Sequence, residues 1–306
     1  MGGCGKNNTI PCAYQRNNVS SSLVVSTAKS LYIYSEPYAK NLCVDDGVYD
    51  AKIDLEPTCA AGLFDLSKNQ VLYGQNMYEE MTPASITKLL TTLVALKYCD
   101  ANQVLTFTPN CRITETGAQL LGLSEGDTLT MDQALNVLLL FSANDVAMMI
   151  ANNYEGGYDA FITKMNEEAA KLGATHTHFV NPHGLTEENH YTCVYDLYLI
   201  LNELVKYDKF REIVCQTGYA TSYTKADGSI KTITLSNTNQ YIKGDREVPE
   251  GYTILGGKTG TTQAAGKCLI IFFEDQNSQK YISCVLRSED YDLLYDNMTK
   301  LIMTAK

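Results

Sequence analysis

Apolar positions change their period along this chain, and the change marks its elements. From Ala60, the stretch AAGLFDLSKNQVLYGQN places two short apolar runs on either side of the turn-forming SKNQ and predicts a β-hairpin. TPASITKLLTTLVALKY (82–98) carries Ile86, Leu89, Leu90, Leu93, Val94 and Leu96, so it is apolar on most of its faces. That pattern predicts a central, buried helix, with Thr82 as its N-cap and Pro83 as its first helical residue. Residues 131–152 read as two helical pieces joined at FSAND, because Ser, Asn and Asp favour breaks and caps over helix interiors. Amphipathic helices are expected over 158–173, stopped by Gly173, and over 194–206. Beyond 215, YTILGGKTGTT, GKCLIIFFE and YISCVLRS have strand length and strand composition, and SEDYDLLYDNMTKLIMTAK closes as a helix.

Strands thus lie at both ends and helices in the middle, which is not the alternation of a parallel α/β sheet. The expected fold class is α+β, an antiparallel sheet built from both chain ends with an inserted helical subdomain. Residues 1–58 read as a tether and lead-in, and residues 59–306 as the folded domain.

Composition narrows the possible partners. The 306 residues carry a formal net charge of −11, which repels phosphate backbones and argues against nucleic acid. The longest apolar run, VLLLF at 137–141, is far short of the ~20 residues a membrane span needs. The first residues, MGGCGKNN, resemble the mature end of a bacterial lipoprotein, with Cys4 as the lipidated residue; a plain flexible tail reads equally well. The ten cysteines include no C-x-x-C pair, which speaks against a zinc ribbon or redox site. Cys99, Cys193, Cys268 and Cys284 fall in apolar segments and read as small buried thiols.

Candidate chemistry rests on three motifs in order: Ser85-Ile86-Thr87-Lys88, then Ser142-Ala143-Asn144, then Lys258-Thr259-Gly260. Residues three apart on a helix share a face, so Lys88 is placed to act on Ser85. A serine hydroxyl needs a base to become nucleophilic, and an amine is a base only when neutral. Burial and a nearby cation, here Lys258, both lower an amine pKa. Ser142 is a candidate proton relay and Asn144 a candidate holder of a substrate amide. Lys258 and Thr259 are expected on an edge strand, where a peptide can pair as an added strand and its carboxylate meet a cation and a hydroxyl. Gly256, Gly257 and Gly260 permit close backbone approach. Taken singly, each motif reads more readily as an ordinary helix start or turn than as chemistry. Ser26-Thr27-Ala28-Lys29 and Ser222-Tyr223-Thr224-Lys225 repeat the Ser-x-x-Lys spacing, but neither leads a buried helix ahead of the other two motifs.

The ordered trio is the set shared by penicillin-binding proteins and class A β-lactamases. From about residue 59 to 300 the chain resembles the serine-type D-alanyl-D-alanine carboxypeptidases. AAGLFDLSKNQVLY, LLGLSEGDTLT, THFVNPHGL followed by Tyr195-Asp196-Leu197, and SNTNQ extend that likeness. The resemblance implies a DD-peptidase/β-lactamase-like fold and a serine acyl-enzyme. It implies Ser85 as nucleophile, Lys88 as general base, and Ser142 with Lys258 as proton relay to the leaving D-alanine. It further implies carboxylate binding by Lys258 and Thr259, with Gly260 beside the substrate. The backbone N–H groups of Ser85 and Thr261 would form the oxyanion hole. Its substrate would be a peptidoglycan stem peptide ending in D-Ala-D-Ala, its covalent inhibitors β-lactams, and its place the bacterial cell envelope, with no cofactor. Relative to many members, a C-terminal β-rich domain is not expected after the last helix. Alternatives are a DD-endopeptidase or a class A-like β-lactamase. The latter's Glu-x-x-Leu-Asn element has no counterpart, Glu187-Glu188-Asn189 being the nearest and a poor fit. A metal hydrolase is a further reading, because His176, His178, His183 and His190 cluster, although no H-E-x-x-H element accompanies them. No metal is expected at the catalytic site.

Overall fold

The computed structural model describes residues 41–49 and 52–305. Cys4, Ser26 and Lys29 therefore lie outside the described residues.

The strands β1 (Ala60–Asp65), β2 (Gln70–Gln75), β7 (Tyr252–Thr262), β8 (Gly266–Asp275) and β9 (Lys280–Ser288) form one antiparallel sheet in the order β2-β1-β9-β8-β7. Ala60 pairs with Leu286 and Asp65 with Tyr281, so the early hairpin is stitched to strands from the far end of the chain. Strand alternation splits the side chains between two faces. Phe64, Ile270, Phe272, Ile282 and Leu286 enter the large core shared with the helices. Leu63, Leu269, Ile271, Phe273 and Val285 turn to the other face, which helix α8 (Tyr291–Thr304) covers with Leu294, Met298, Leu301 and Ile302. Helices on both faces explain why β8 and β9 read as near-continuous apolar runs. Residues 41–58, expected as lead-in, include a segment packed on this body: Cys43 is buried, its N–H donates to Tyr198 Oη at 2.7 Å, and its carbonyl accepts from Tyr195 Oη at 2.7 Å.

Helix α1 (Lys88–Tyr98) lies in the large core, surrounded by α3 (Asn144–Asn152), α4 (Gly157–Leu172) and α5 (Val194–Leu204). Two expectations at its start need correcting. The α-helix begins at Lys88, and Ser85 sits in a preceding 3₁₀ turn, Ala84–Thr87. No side chain caps either element, so Thr82 is not an N-cap. The cause is the neighbouring strand: Ala84 has φ 48°, and a Cβ on Gly260 would lie 3.1 Å from Ser85 N. Close approach of the β7 backbone shapes the turn.

The expected break at FSAND is present. Helix α2 (Met131–Asn136) runs into a π-helical turn over Val137–Phe141, then Ser142 takes a left-handed conformation with φ 66° before α3 begins. A second sheet, absent from the sequence reading, has the order β3-β4-β5-β6: β3 (Val104–Thr106), β4 (Thr128–Thr130), β5 (Gly218–Thr224) and β6 (Ile230–Ser236). Two of its strands have three residues and the others are rich in Thr and Ser, so its apolar signal is weak. Short helices α6 (Asp208–Val214) and α7 (Gln240–Lys243) were likewise unexpected. Among the described residues no helix is long and apolar enough to cross a membrane. The eight described cysteines are free thiols; Cys193, Cys268 and Cys284 are buried as expected and Cys99 is half-buried.

Candidate active site

A cleft of about 1300 Å³ opens between β7 and the helical subdomain, and Ser85, Ser142, Asn144, Thr259, Gly260 and Thr261 line it. All three motifs thus converge on one surface. Ser85 is partly exposed there, whereas Lys88 and Lys258 are both fully buried.

Lys88 Nζ reaches three oxygens: Ser85 Oγ at 2.8 Å, Asn144 Oδ1 at 2.7 Å and the His183 carbonyl at 2.6 Å. An amide oxygen and a backbone carbonyl can only accept hydrogen bonds. A neutral amine has two N–H bonds and one lone pair. The two obligate acceptors take the N–H bonds, and the lone pair is left facing the Ser85 hydroxyl. Burial pushes the Lys88 pKa well below the ordinary lysine value, and the nearby Lys258 charge pushes it further.

Lys258 sits across the cleft. Its Nζ donates to Ser142 Oγ at 3.0 Å and to the Thr259 carbonyl at 3.0 Å, and burial lowers its pKa to about 7. Strand β7 is at the sheet edge, so one side of its backbone is unpaired by the sheet. Thr259 Oγ1 donates to Thr238 Oγ1 at 2.6 Å. Of the glycines, Gly256 and Gly257 allow the strand to pass its neighbours: a Cβ there would lie 2.2 Å from Val214 Cγ2 and 2.2 Å from the Ile270 carbonyl, respectively.

Supporting contacts fix these groups. The Asn144 N–H donates to the Gln119 carbonyl at 2.8 Å, and the Asp145 carboxylate accepts from Leu121 N and Gly122 N at 2.9 Å each, tying α3 to the cleft wall. His190 Nδ1 accepts from Val180 N at 3.2 Å, so its Nε2–H donates to Thr87 Oγ1 at 2.9 Å. Thr87 in turn donates to the Ala84 carbonyl at 2.9 Å, bracing the bend that carries Ser85. Burial lowers the His190 pKa to about 4 and the His183 pKa to about 3, so both rings are neutral near pH 7.

Every residue singled out by the three motifs borders this cleft or its buried floor. The other Ser-x-x-Lys within the described residues does not: Ser222 lies on β5, 3.0 Å from Thr232 Oγ1 on the adjacent strand. Sequence reasoning missed the His183 carbonyl and the Thr238 hydroxyl. NPHGL and SNTNQ stand out in the sequence, but a backbone acceptor leaves no side-chain signature.

Comparisons with known proteins place the chain in a family. A family model described as D-alanyl-D-alanine carboxypeptidase matches residues 54–290. The chain is 33% identical over 214 residues to the D-alanyl-D-alanine carboxypeptidase DacF of Bacillus subtilis, covering 69% of this chain and 52% of that protein. It is 34% identical over 209 residues to DacB2, a D-alanyl-D-alanine carboxypeptidase of Mycobacterium tuberculosis, covering 67% of each. The chain thus spans about half the length of the Bacillus relative. Among solved structures, the Streptomyces K15 DD-transpeptidase superposes with a TM-score of 0.76 at 25% identity, over 83% of this chain and 98% of that one.

Proposed function

This chain belongs to the D-alanyl-D-alanine carboxypeptidase family, and from that premise we propose that it removes the terminal D-alanine from peptidoglycan stem peptides through an acyl-enzyme on Ser85. One observation carries the reading: Lys88 Nζ lies 2.8 Å from Ser85 Oγ, with its two other contacts on obligate acceptors. Ser85 Oγ attacks the carbonyl carbon of the penultimate D-alanine while its proton passes to Lys88. Backbone N–H groups of Ser85 and Thr261 receive the oxyanion. The tetrahedral intermediate collapses, the C–N bond breaks, and the leaving amine takes a proton through Ser142 and Lys258. Water then hydrolyses the ester.

Lys258 and Thr259 hold the substrate's terminal carboxylate. With the Asn144 oxygen committed to Lys88, its amide nitrogen is free for the substrate. Gly260 keeps β7 close enough to Ser85 for both oxyanion donors to face one atom. β-Lactams present a strained amide to the same serine and acylate it. Envelope peptides and antibiotics both place the reaction outside the cytoplasm, and the Gly3-Cys4 pair supports lipid attachment at Cys4. Mass spectrometry of the cell-expressed protein should find a diacylglycerol thioether there.

Incubation with a fluorescent penicillin tests the central claim. A single adduct on Ser85, together with D-alanine release from a pentapeptide, is the expected result. No adduct refutes the serine mechanism. Rapid nitrocefin turnover would identify a β-lactamase, and preferential cleavage of cross-linked dimers an endopeptidase.

A further inference from the structure

The four histidines that cluster in the sequence separate in the fold. His183 and His190 brace the loop beside Lys88, and His178 Nδ1 lies 2.7 Å from the Asn189 carbonyl. His176 joins a different group, in which its ring nitrogen, Cys193 Sγ and an Asp196 carboxylate oxygen lie within 4.8 Å of one another. We propose that His176, Cys193 and Asp196 bind one zinc ion, at the start of α5 and apart from the cleft.

The donor set selects the metal. One imidazole, one thiolate and one carboxylate suit zinc, whereas magnesium and calcium require all-oxygen shells. Tetrahedral zinc bonds of ~2.0–2.3 Å hold ligand atoms roughly 3.3–3.8 Å apart, so the trio has about 1 Å to close. His176 is exposed and can swing inward, while Cys193 and Asp196 are buried and fixed.

Outer contacts already orient the ligands, as metal sites require. One Asp196 oxygen, Oδ2, accepts from His176 N at 2.8 Å and Thr177 Oγ1 at 2.7 Å. The His176 Nδ1 lies 3.5 Å from Thr175 Oγ1. The Cys193 thiol lies within 4.8 Å of the Asp196 carboxylate and carries a proton that a metal must displace. Zinc replaces that proton: the S–H bond breaks, a Zn–S bond forms, and the proton leaves to solvent. Water fills the fourth position on the exposed side.

The consequence is mechanical. His176 and Cys193 flank the segment that carries His183, whose carbonyl holds Lys88, and His190. An ion bridging them staples both ends of that loop. Because it binds only the folded arrangement, zinc raises the melting temperature.

The test uses the full chain stripped of metal and titrated with zinc chloride against a chromophoric chelator. The expected result is one zinc per chain and a rise in Tm, both lost by more than tenfold in affinity in H176A and C193S but kept in H178A. Cobalt should give a thiolate charge-transfer band in the parent chain that is missing from C193S. Circular dichroism checks folding, and H176A alters only an exposed side chain. No zinc bound by the folded parent, or equal binding in H176A and C193S, overturns the proposal. Neither outcome bears on Ser85 chemistry.

Discussion

Lys88 and Lys258 are both wholly buried, yet the two sides of the cleft treat them differently. On the helical side, Lys88 meets Asn144 Oδ1 and the His183 carbonyl, which can only accept, and so its lone pair is directed at Ser85. On the strand side, Lys258 meets one backbone carbonyl and the Ser142 hydroxyl, which can give or take a proton. Burial is common to both and lowers both pKa values, but the neighbours decide the role. Equal burial therefore does not mean equal chemistry: in the proposed mechanism the first environment suits a base, and the second a cation or relay within reach of an anionic substrate.

Arginine separates these roles most sharply, since it stays charged and cannot accept a proton. Lys88→Arg should lower the rate of penicillin acylation by ~10³-fold or more, while Lys258→Arg, which keeps a charge, should lose only ~10–100-fold. Equal losses in stopped-flow labelling would dissolve the distinction. Next in size is Gly184→Ala. Gly184 has φ +88°, and a Cβ there would lie 1.8 Å from the Ala84 carbonyl, directly under the Ser85 bend. The substitution should destabilise the fold by about 2–4 kcal/mol in urea melts and slow acylation as well.

Lys258→Met probes the cost of the buried ammonium. The folded pKa, about 7, is below the ordinary 10.5, so between those values the unfolded chain binds the proton more tightly. The penalty is complete below pH 7 and is relieved as pH rises towards 10.5. The variant should be more stable than the parent at pH 6–7, by on the order of 2 kcal/mol, with the gap closing by pH 10. A gap that widens with pH would reverse the assignment. Asn144→Asp acts on the other lysine: a carboxylate beside Lys88 favours its charged form, so the acid limb of the acylation profile should move up by about one pH unit. The smallest effect belongs to Ser222→Ala, on the half-buried Ser-x-x-Lys of β5, which should change stability by less than about 0.5 kcal/mol and leave labelling intact.

Much of this site was legible because its chemistry resides in side chains with fixed spacing. Ser85, Lys88, Ser142, Asn144, Lys258 and Thr259 were each readable, as was the edge position of β7, since a glycine-flanked K-T-G between apolar strands has few other uses. The helix boundary at Lys88 was not, because Pro83 and Thr82 carry an ordinary start signal and the bend at Ala84 is imposed by a strand far away in sequence. The second sheet escaped for a different reason: Val104–Thr106 and Thr128–Thr130 are too short to show a period, and β5 and β6 bury little. The His183 carbonyl was invisible in principle, since any residue would supply it.

The pairing of Ala60 with Leu286 has a bearing on the nascent chain. At ~5–20 residues per second, β9 leaves the ribosome on the order of ten seconds or more after Ser85 does. Until β7 arrives, Lys88 lacks the neighbouring Lys258 charge, and the Ser85 bend lacks the strand that shapes it. On the proposed mechanism, the site that acylates Ser85 is therefore complete only when the last strands close the sheet.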